Sequence, residues 1–177
     1  MTKRAYLAGG CFWGLEELMR SQPGVLDITA GYTGGTIENP TYEHHTVAPQ
    51  STVARHDFEQ KSHAEALEIV YDDTVTDFWH LLDFFFQIHN PTTLNRQGND
   101  IGDSYRSAIF YQNEEEKKQA EDFITIVNDS KRWDAPVVTT LEPFTKFWPA
   151  EDYHQDYLQK NPAGYTCHAI YFDSYLK

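Results

Sequence analysis

The chain has 177 residues, 40% of them apolar and 15% aromatic, which is enough for one packed core and short for two. Its 27 acidic residues against 14 basic give a formal charge of −13; the basic residues form only isolated pairs such as Lys117-Lys118 and Lys131-Arg132, which argues against nucleic acid or an anionic membrane as partner. No apolar run nears the roughly 20 residues of a membrane span, and the stretch after the first basic residues is too short for a signal peptide, so a cytoplasmic monomer is expected.

Strand and helix patterns alternate from the start. Arg4–Ala8 reads as a strand, Gly9-Gly10 as a tight turn, and Cys11–Arg20 as a helix with Cys11, Leu15, Leu18 and Met19 on one face, stopped by Gln22-Pro23-Gly24. Val25–Tyr32 reads as a second strand, closed by Gly34-Gly35. From Thr36 to His63 the chain is polar, with two prolines and four histidines, and is expected to be a long loop. The stretch AEALEIVYDD places Glu65, Leu67, Ile69 and Tyr71 on one strand face at period two. A helix near Asp77–His89 follows, with Phe78, Leu81, Leu82, Phe85 and Phe86 as its apolar stripe. After the turn-rich RQGNDIGDS, a fourth strand is predicted at Tyr105–Tyr111. A helix over Glu114–Asn128 comes next, with Asn113 as cap and Ala120, Phe123, Ile124 and Val127 as stripe. Pro136–Leu141 is a fifth strand, and the remainder is coil around one short helix near Glu151–Leu158.

This order predicts an α+β fold: a two-layer mixed sheet with helices, built on a split-βαβ, ferredoxin-like core, with a long coil-rich C-terminal tail from about residue 143. No repeat or linker divides the chain, so residues 1–177 are expected to form a single catalytic domain.

The chemistry concentrates at GGCFWG. At the start of a helix, the Cys11 sulfur would lie near unpaired backbone N–H groups and the positive end of the helix dipole, which favours thiolate and predicts a pKa below the ordinary value near 8.5. The glycines allow close approach, and Phe12 and Trp13 would wall an apolar cup suited to a small electrophile. Read from spacing alone, a buried cysteine with two core aromatics stays open. The parity of AEALEIVYD brings Glu65 to the apolar face, where desolvation would keep it protonated and able to donate; a strand-end carboxylate reaching solvent is the alternative. In a reducing compartment, two cysteines are expected to serve catalysis or redox chemistry before a permanent disulfide.

The blocks AGGCFWGLEEL, GYTGG, NPTY, HAEALEIVYD, RQGNDIGDSYRSAIFY, HQDYLQKNP and GYTCH occur in family order from Tyr6 to His168 and resemble the peptide methionine sulfoxide reductase A family. The resemblance implies reduction of the S epimer of methionine sulfoxide in oxidised proteins, peptides or the free amino acid. It makes Cys11 the nucleophile that becomes a sulfenic acid, Glu65 the general acid, and Cys167 the resolving cysteine that forms a disulfide with Cys11. Thioredoxin is the implied external reductant, with no bound cofactor. Phe12 and Trp13 are the implied pocket for the substrate methyl, and Tyr42 and Tyr105 the hydroxyls on the sulfoxide oxygen. Asp100 is the carboxylate that supports substrate and acid through a water, while His154 and Tyr157, three apart on the short helix, stand near the pocket. On pattern alone, the tyrosines read equally as loop and core aromatics, and Asp100 as a turn former.

The stretch between Tyr42 and Glu65 is longer than the resemblance predicts and carries Ser62 where glycine is usual. His44, His45, His56 and His63 lack the spacing of a zinc site, so no metal is expected. Two rival readings remain: a cysteine hydrolase in which His154 or His168 activates Cys11, and a non-catalytic binder of oxidised methionine.

Overall fold

A computed structural model describes residues 1–46 and 61–177. Strand β1 (Thr2–Gly9) leads through Gly10, whose φ of 94° needs a glycine, into helix α1 (Phe12–Met19) and strand β2 (Val25–Thr33). Strand β3 (Ala64–Asp72) is followed by helix α2 (Phe78–Gln87), capped by the Asp77 carboxylate, which accepts from the His80 N–H at 2.8 Å. Short strands β4 (Arg96–Gln97) and β5 (Asp100–Ile101) form a hairpin, and a 3₁₀ turn (Asp103–Tyr105) precedes strand β6 (Ser107–Tyr111). Helix α3 (Glu114–Ser130) is capped by Asn113 as predicted; strands β7 (Thr140–Pro143) and β8 (Phe147–Pro149), a 3₁₀ turn (Asp152–His154) and helix α4 (Tyr157–Lys160) complete the elements.

The main sheet runs β7-β6-β1-β3-β2-β8. All its pairs are antiparallel except β6 with β7, so β3 lies between β1 and β2 and makes them parallel to each other. One face, carrying Ala5, Leu7, Leu67, Ile69 and Ile109, packs under α1, α2 and α3 with the predicted stripe of α2 fully in the core. The other, with Tyr6, Ala8, Ala66, Ala108 and Phe110, is covered by Phe144 and Phe147, Tyr6 stacking on Phe144 at 3.9 Å. The alternation of β3 follows the predicted parity, which brings Glu65 to the helix face.

Three boundaries differ from expectation. Tyr105 ends the 3₁₀ turn, and β6 starts only at Ser107. The fifth strand begins at Thr140, not Pro136, because the intervening N–H groups are used elsewhere: Val137 donates to Asn128 Oδ1 at 2.9 Å and Val138 to the Pro91 carbonyl at 2.8 Å. The helix predicted over Glu151–Leu158 breaks in two, since Gln155 is extended and its side chain bonds both the N–H and C=O of Ala30, and Asp156 is left-handed. Of the long loop, His56 lies outside the described residues; the described ends hold a Thr41–His44 bridge.

Candidate active site

Cys11 occupies the N-cap of α1 and makes no side-chain cap hydrogen bond, so the first-turn N–H groups turn to other partners. The Phe12 N–H donates to Glu65 Oε1 at 3.3 Å, and the Trp13 N–H points to the Cys11 sulfur. Glu65 is 1% exposed, and its Oε2 has no hydrogen-bond partner among the described residues. Burial pushes its carboxyl up to about 8 against the pull of the Phe12 N–H, with Asp100 adding to the rise. It is therefore a neutral acid near pH 7, on the same side of the sheet as the sulfur.

The thiol differs from its sequence expectation. Cys11 is 7% exposed, and burial pushes it well above the ordinary thiol range; Glu65 raises it further, the Trp13 N–H opposes, and Asp100 and Cys167 add smaller increments. The helix N-terminus does favour the anion, but desolvation in this niche outweighs it. The resting site thus holds a neutral thiol beside a neutral carboxyl.

Aromatic rings wall the niche. Trp13 lies flat against Tyr157 at 3.8 Å, and Tyr42 is near parallel to it at 6.4 Å. The Tyr105 side chain hydrogen-bonds Tyr42, and burial raises both phenols. His154 is buried behind the wall; its Nδ1 accepts the Trp13 indole N–H at 2.9 Å, and its ring lies 5.1 Å from Phe12 and 4.6 Å from Tyr42. His154 and Tyr157 therefore sit on two separate elements, not one helix.

Cys167 comes to the same niche from the tail. Its thiol lies 3.5 Å from Asp100 Oδ2, which Tyr165 also approaches at 3.4 Å, and burial with that carboxylate pushes it up to about 11. The two cysteines are unpaired. The glycines of GGCFWG make this approach possible: a Cβ on Gly14 would lie 2.3 Å from Thr166 Oγ1, and one on Gly10 would lie 2.6 Å from the Gln97 side chain.

All ten predicted residues are thus brought together. Sequence reasoning missed Tyr165, Gln97 and the docking of His168 on the Gly9 carbonyl, none of which carries a local signal. It also missed Arg106, which bonds Glu142, the Ser62 carbonyl and the Asp103 carbonyl, and so fixes the approach to β3 and the turn that presents Tyr105. His45 and His63 engage backbone groups of Thr41, Gly35 and Ile37, and among the described residues no cluster of three or more His, Cys, Asp or Glu is placed to hold a metal. The histidines needed by a hydrolase are committed to Trp13 and Gly9, and neither hydrogen-bonds the Cys11 sulfur.

Two free cysteines and a neutral buried acid around one aromatic niche make the site of a thiol-dependent oxidoreductase. The sequence profile of the peptide methionine sulfoxide reductase family matches residues 3–174. The peptide methionine sulfoxide reductase MsrA of Nocardia farcinica is 54% identical over 94% of this chain and 89% of its own, and that of Streptomyces coelicolor is 54% identical over 94% and 88%. Among solved structures, reduced Mxr1 of Saccharomyces cerevisiae superposes with a TM-score of 0.74 at 34% identity, covering 97% of this chain and 93% of that one. Mxr1 in complex with Trx2 gives 0.57 at 25%, over 97% and 91%. The chain belongs to the peptide methionine sulfoxide reductase A family.

Proposed function

We propose that this protein is a thioredoxin-dependent peptide-methionine (S)-S-oxide reductase in which Cys11 attacks the sulfoxide sulfur and Glu65 protonates the oxygen. The observation that carries the reading is the buried Glu65 carboxyl: it accepts the Phe12 N–H next to Cys11 with one oxygen, its other oxygen has no partner among the described residues, and its burial favours the neutral acid. The proton balance follows from the two raised groups. Glu65 gives its proton to the departing oxygen, and the Cys11 thiol proton replaces it, so the carboxylate need not persist in the buried site. Attack forms a bond between the Cys11 and methionine sulfurs while the protonated oxygen takes the S–O pair; that oxygen then bonds to the Cys11 sulfur as the S–S pair returns to methionine sulfur, which leaves Cys11 as sulfenic acid and releases the thioether.

Trp13 and Phe12 take the methyl group, and the hydroxyls of Tyr42 and Tyr105 exchange their mutual hydrogen bond for the substrate oxygen. Asp100 orients the acid side of the site and holds Cys167. The Cys167 thiol then condenses with the sulfenic acid, releasing water and forming a Cys11–Cys167 disulfide that a thioredoxin dithiol reduces. The Mxr1–Trx2 complex of a structural relative supports thioredoxin as donor.

The strand order β6-β1-β3-β2 supports a split-βαβ, ferredoxin-like core, on which the tail from about residue 143 is laid to bring in the resolving cysteine. The assay that tests the function is reduction of the two separated epimers of a methionine sulfoxide peptide with thioredoxin and its reductase. Consumption of the S epimer alone is expected, and turnover of neither would overturn the reading.

A further inference from the structure

Glu16 is a buried acid that the sulfoxide chemistry leaves unused. It lies on α1, nearly a turn beyond Trp13, 1% exposed, and its Oε2 has no hydrogen-bond partner among the described residues. A carboxyl so placed destabilises the fold unless its neighbours compensate. Arg20, one turn on, stands 3.6 Å from Oε1 and is shared with Glu17 at 3.8 Å. Across from them stands Asp156, whose backbone N–H faces the Glu16 carboxyl and whose carboxylate Arg20 holds at 2.5 Å.

Asp156 is unusual. Its φ of 53° and ψ of 34° are left-handed, a conformation that a residue with a Cβ adopts at a cost. It opens α4, which is four residues long, has no side-chain cap and buries none of its residues. So short a helix has no stability of its own. What fixes it is its contact with α1. Its first residue, Tyr157, lies flat on Trp13 at 3.8 Å and 11°, and Trp13 is tied to His154 on the preceding turn.

We propose that Glu16 is a positioning residue for the substrate pocket: with Arg20, its carboxyl grips left-handed Asp156 and so sets the Tyr157 ring against Trp13. This rests on the reading of Trp13 as a wall of the methyl-sulfoxide pocket. A wall touches the non-reacting part of the substrate in both the bound state and the transition state, so loosening it raises KM and spares kcat.

The experiment compares steady-state reduction of a methionine sulfoxide peptide, with dithiothreitol as reductant, in wild type, Glu16→Leu, Glu16→Gln and Glu17→Ala. Leucine fills the buried volume without an acceptor, glutamine keeps the acceptor, and Glu17→Ala removes a charge from the same helix. Glu16→Leu is expected to raise KM about tenfold with kcat changed less than about twofold, the scale of one lost hydrogen bond to a charged group. Glu16→Gln is expected to recover most of the loss, and Glu17→Ala to match wild type. An unchanged KM in Glu16→Leu, a fall in kcat at constant KM, no recovery by glutamine, or loss of cooperative thermal unfolding in Glu16→Leu would each overturn the proposal. An inactive wild type would sink the functional reading as well, whereas an active wild type with an unaffected Glu16→Leu sinks only the role of Glu16.

Discussion

The Nε2–H of His168 donates to the carbonyl oxygen of Gly9 at 2.6 Å, tying the C-terminal tail to the last residue of β1 across 159 positions of sequence. The tie depends on the bare face of Gly14, where a Cβ would lie 2.5 Å from His168 Nδ1 as well as against Thr166. Gly14→Ala should therefore lift the tail from α1 while leaving Cys11 and Glu65 in place. The first methionine is expected at nearly the wild-type rate, with disulfide formation slowed about tenfold or more by the lost proximity of Cys167. Rapid-quench counting of methionine beside titration of free thiols separates the two steps, and a slowed first step would show that the helix itself had moved.

The two thiols divide the cycle between them. Cys11→Ser is expected to abolish reduction while thermal unfolding stays cooperative, because the remaining thiol, Cys167, is held against Asp100 from the tail and not at the start of α1 beside Glu65. Cys167→Ser should release about one methionine per enzyme and then stall with thioredoxin as donor, since the sulfenic acid has no internal partner. Sustained thioredoxin-driven turnover in Cys167→Ser would remove its resolving role.

Much of this was legible in the sequence because the signals were local. Alternation in AEALEIVYD placed Glu65 on the buried face, the stripe from Phe78 to Phe86 placed α2, and Asn113 placed the start of α3. What escaped was set by partners far along the chain. Val137 and Val138 look like strand residues but spend their N–H groups on Asn128 and Pro91, and the helix after Glu151 breaks where Gln155 turns to satisfy Ala30. The direction of the Cys11 shift was missed for a related reason. Position at a helix start can be read from sequence, but the burial that outweighs it, and the further rise from the charges of Glu65, Asp100 and Cys167, depend on parts of the chain far from that helix start.

Arg106 is buried with its guanidinium on Glu142, at 3.0 Å from Nε to Oε2 and 3.2 Å from Nη2 to Oε1. Burial alone would raise the Glu142 carboxyl; the hydrogen bonds and charge of Arg106, with Lys61 and Thr140, outweigh it and hold the group below its ordinary value. Arg106→Met leaves that carboxylate without its main partner and removes the side-chain hydrogen bonds to the Ser62 and Asp103 carbonyls. A loss of about 3–5 kcal/mol is expected in urea unfolding. The double variant Arg106→Met/Glu142→Met should recover most of it, and a double variant no more stable than the single one would show that the ion pair is not the cause.

Glu65 links stability to pH with a definite sign. Its folded pKa of about 8 stands above the unfolded value of 4.5, so over that interval the folded protein keeps a proton that the unfolded chain has lost. Its contribution is fully present below the unfolded value and is lost as pH rises through about 8. Glu16, raised to about 7, acts in the same direction over a narrower range, so the comparison must isolate Glu65. Glu65→Gln does so, because the amide can still accept the Phe12 N–H but no longer titrates. The stability of wild type relative to Glu65→Gln is expected to fall between about pH 5 and about pH 9 and to level off above that. The same variant should slow sulfoxide reduction more than alkylation of Cys11, since only reduction needs the proton. Parallel stability curves for the two proteins would mean that Glu65 is ionised in the folded state, and the proton donor would have to be sought elsewhere.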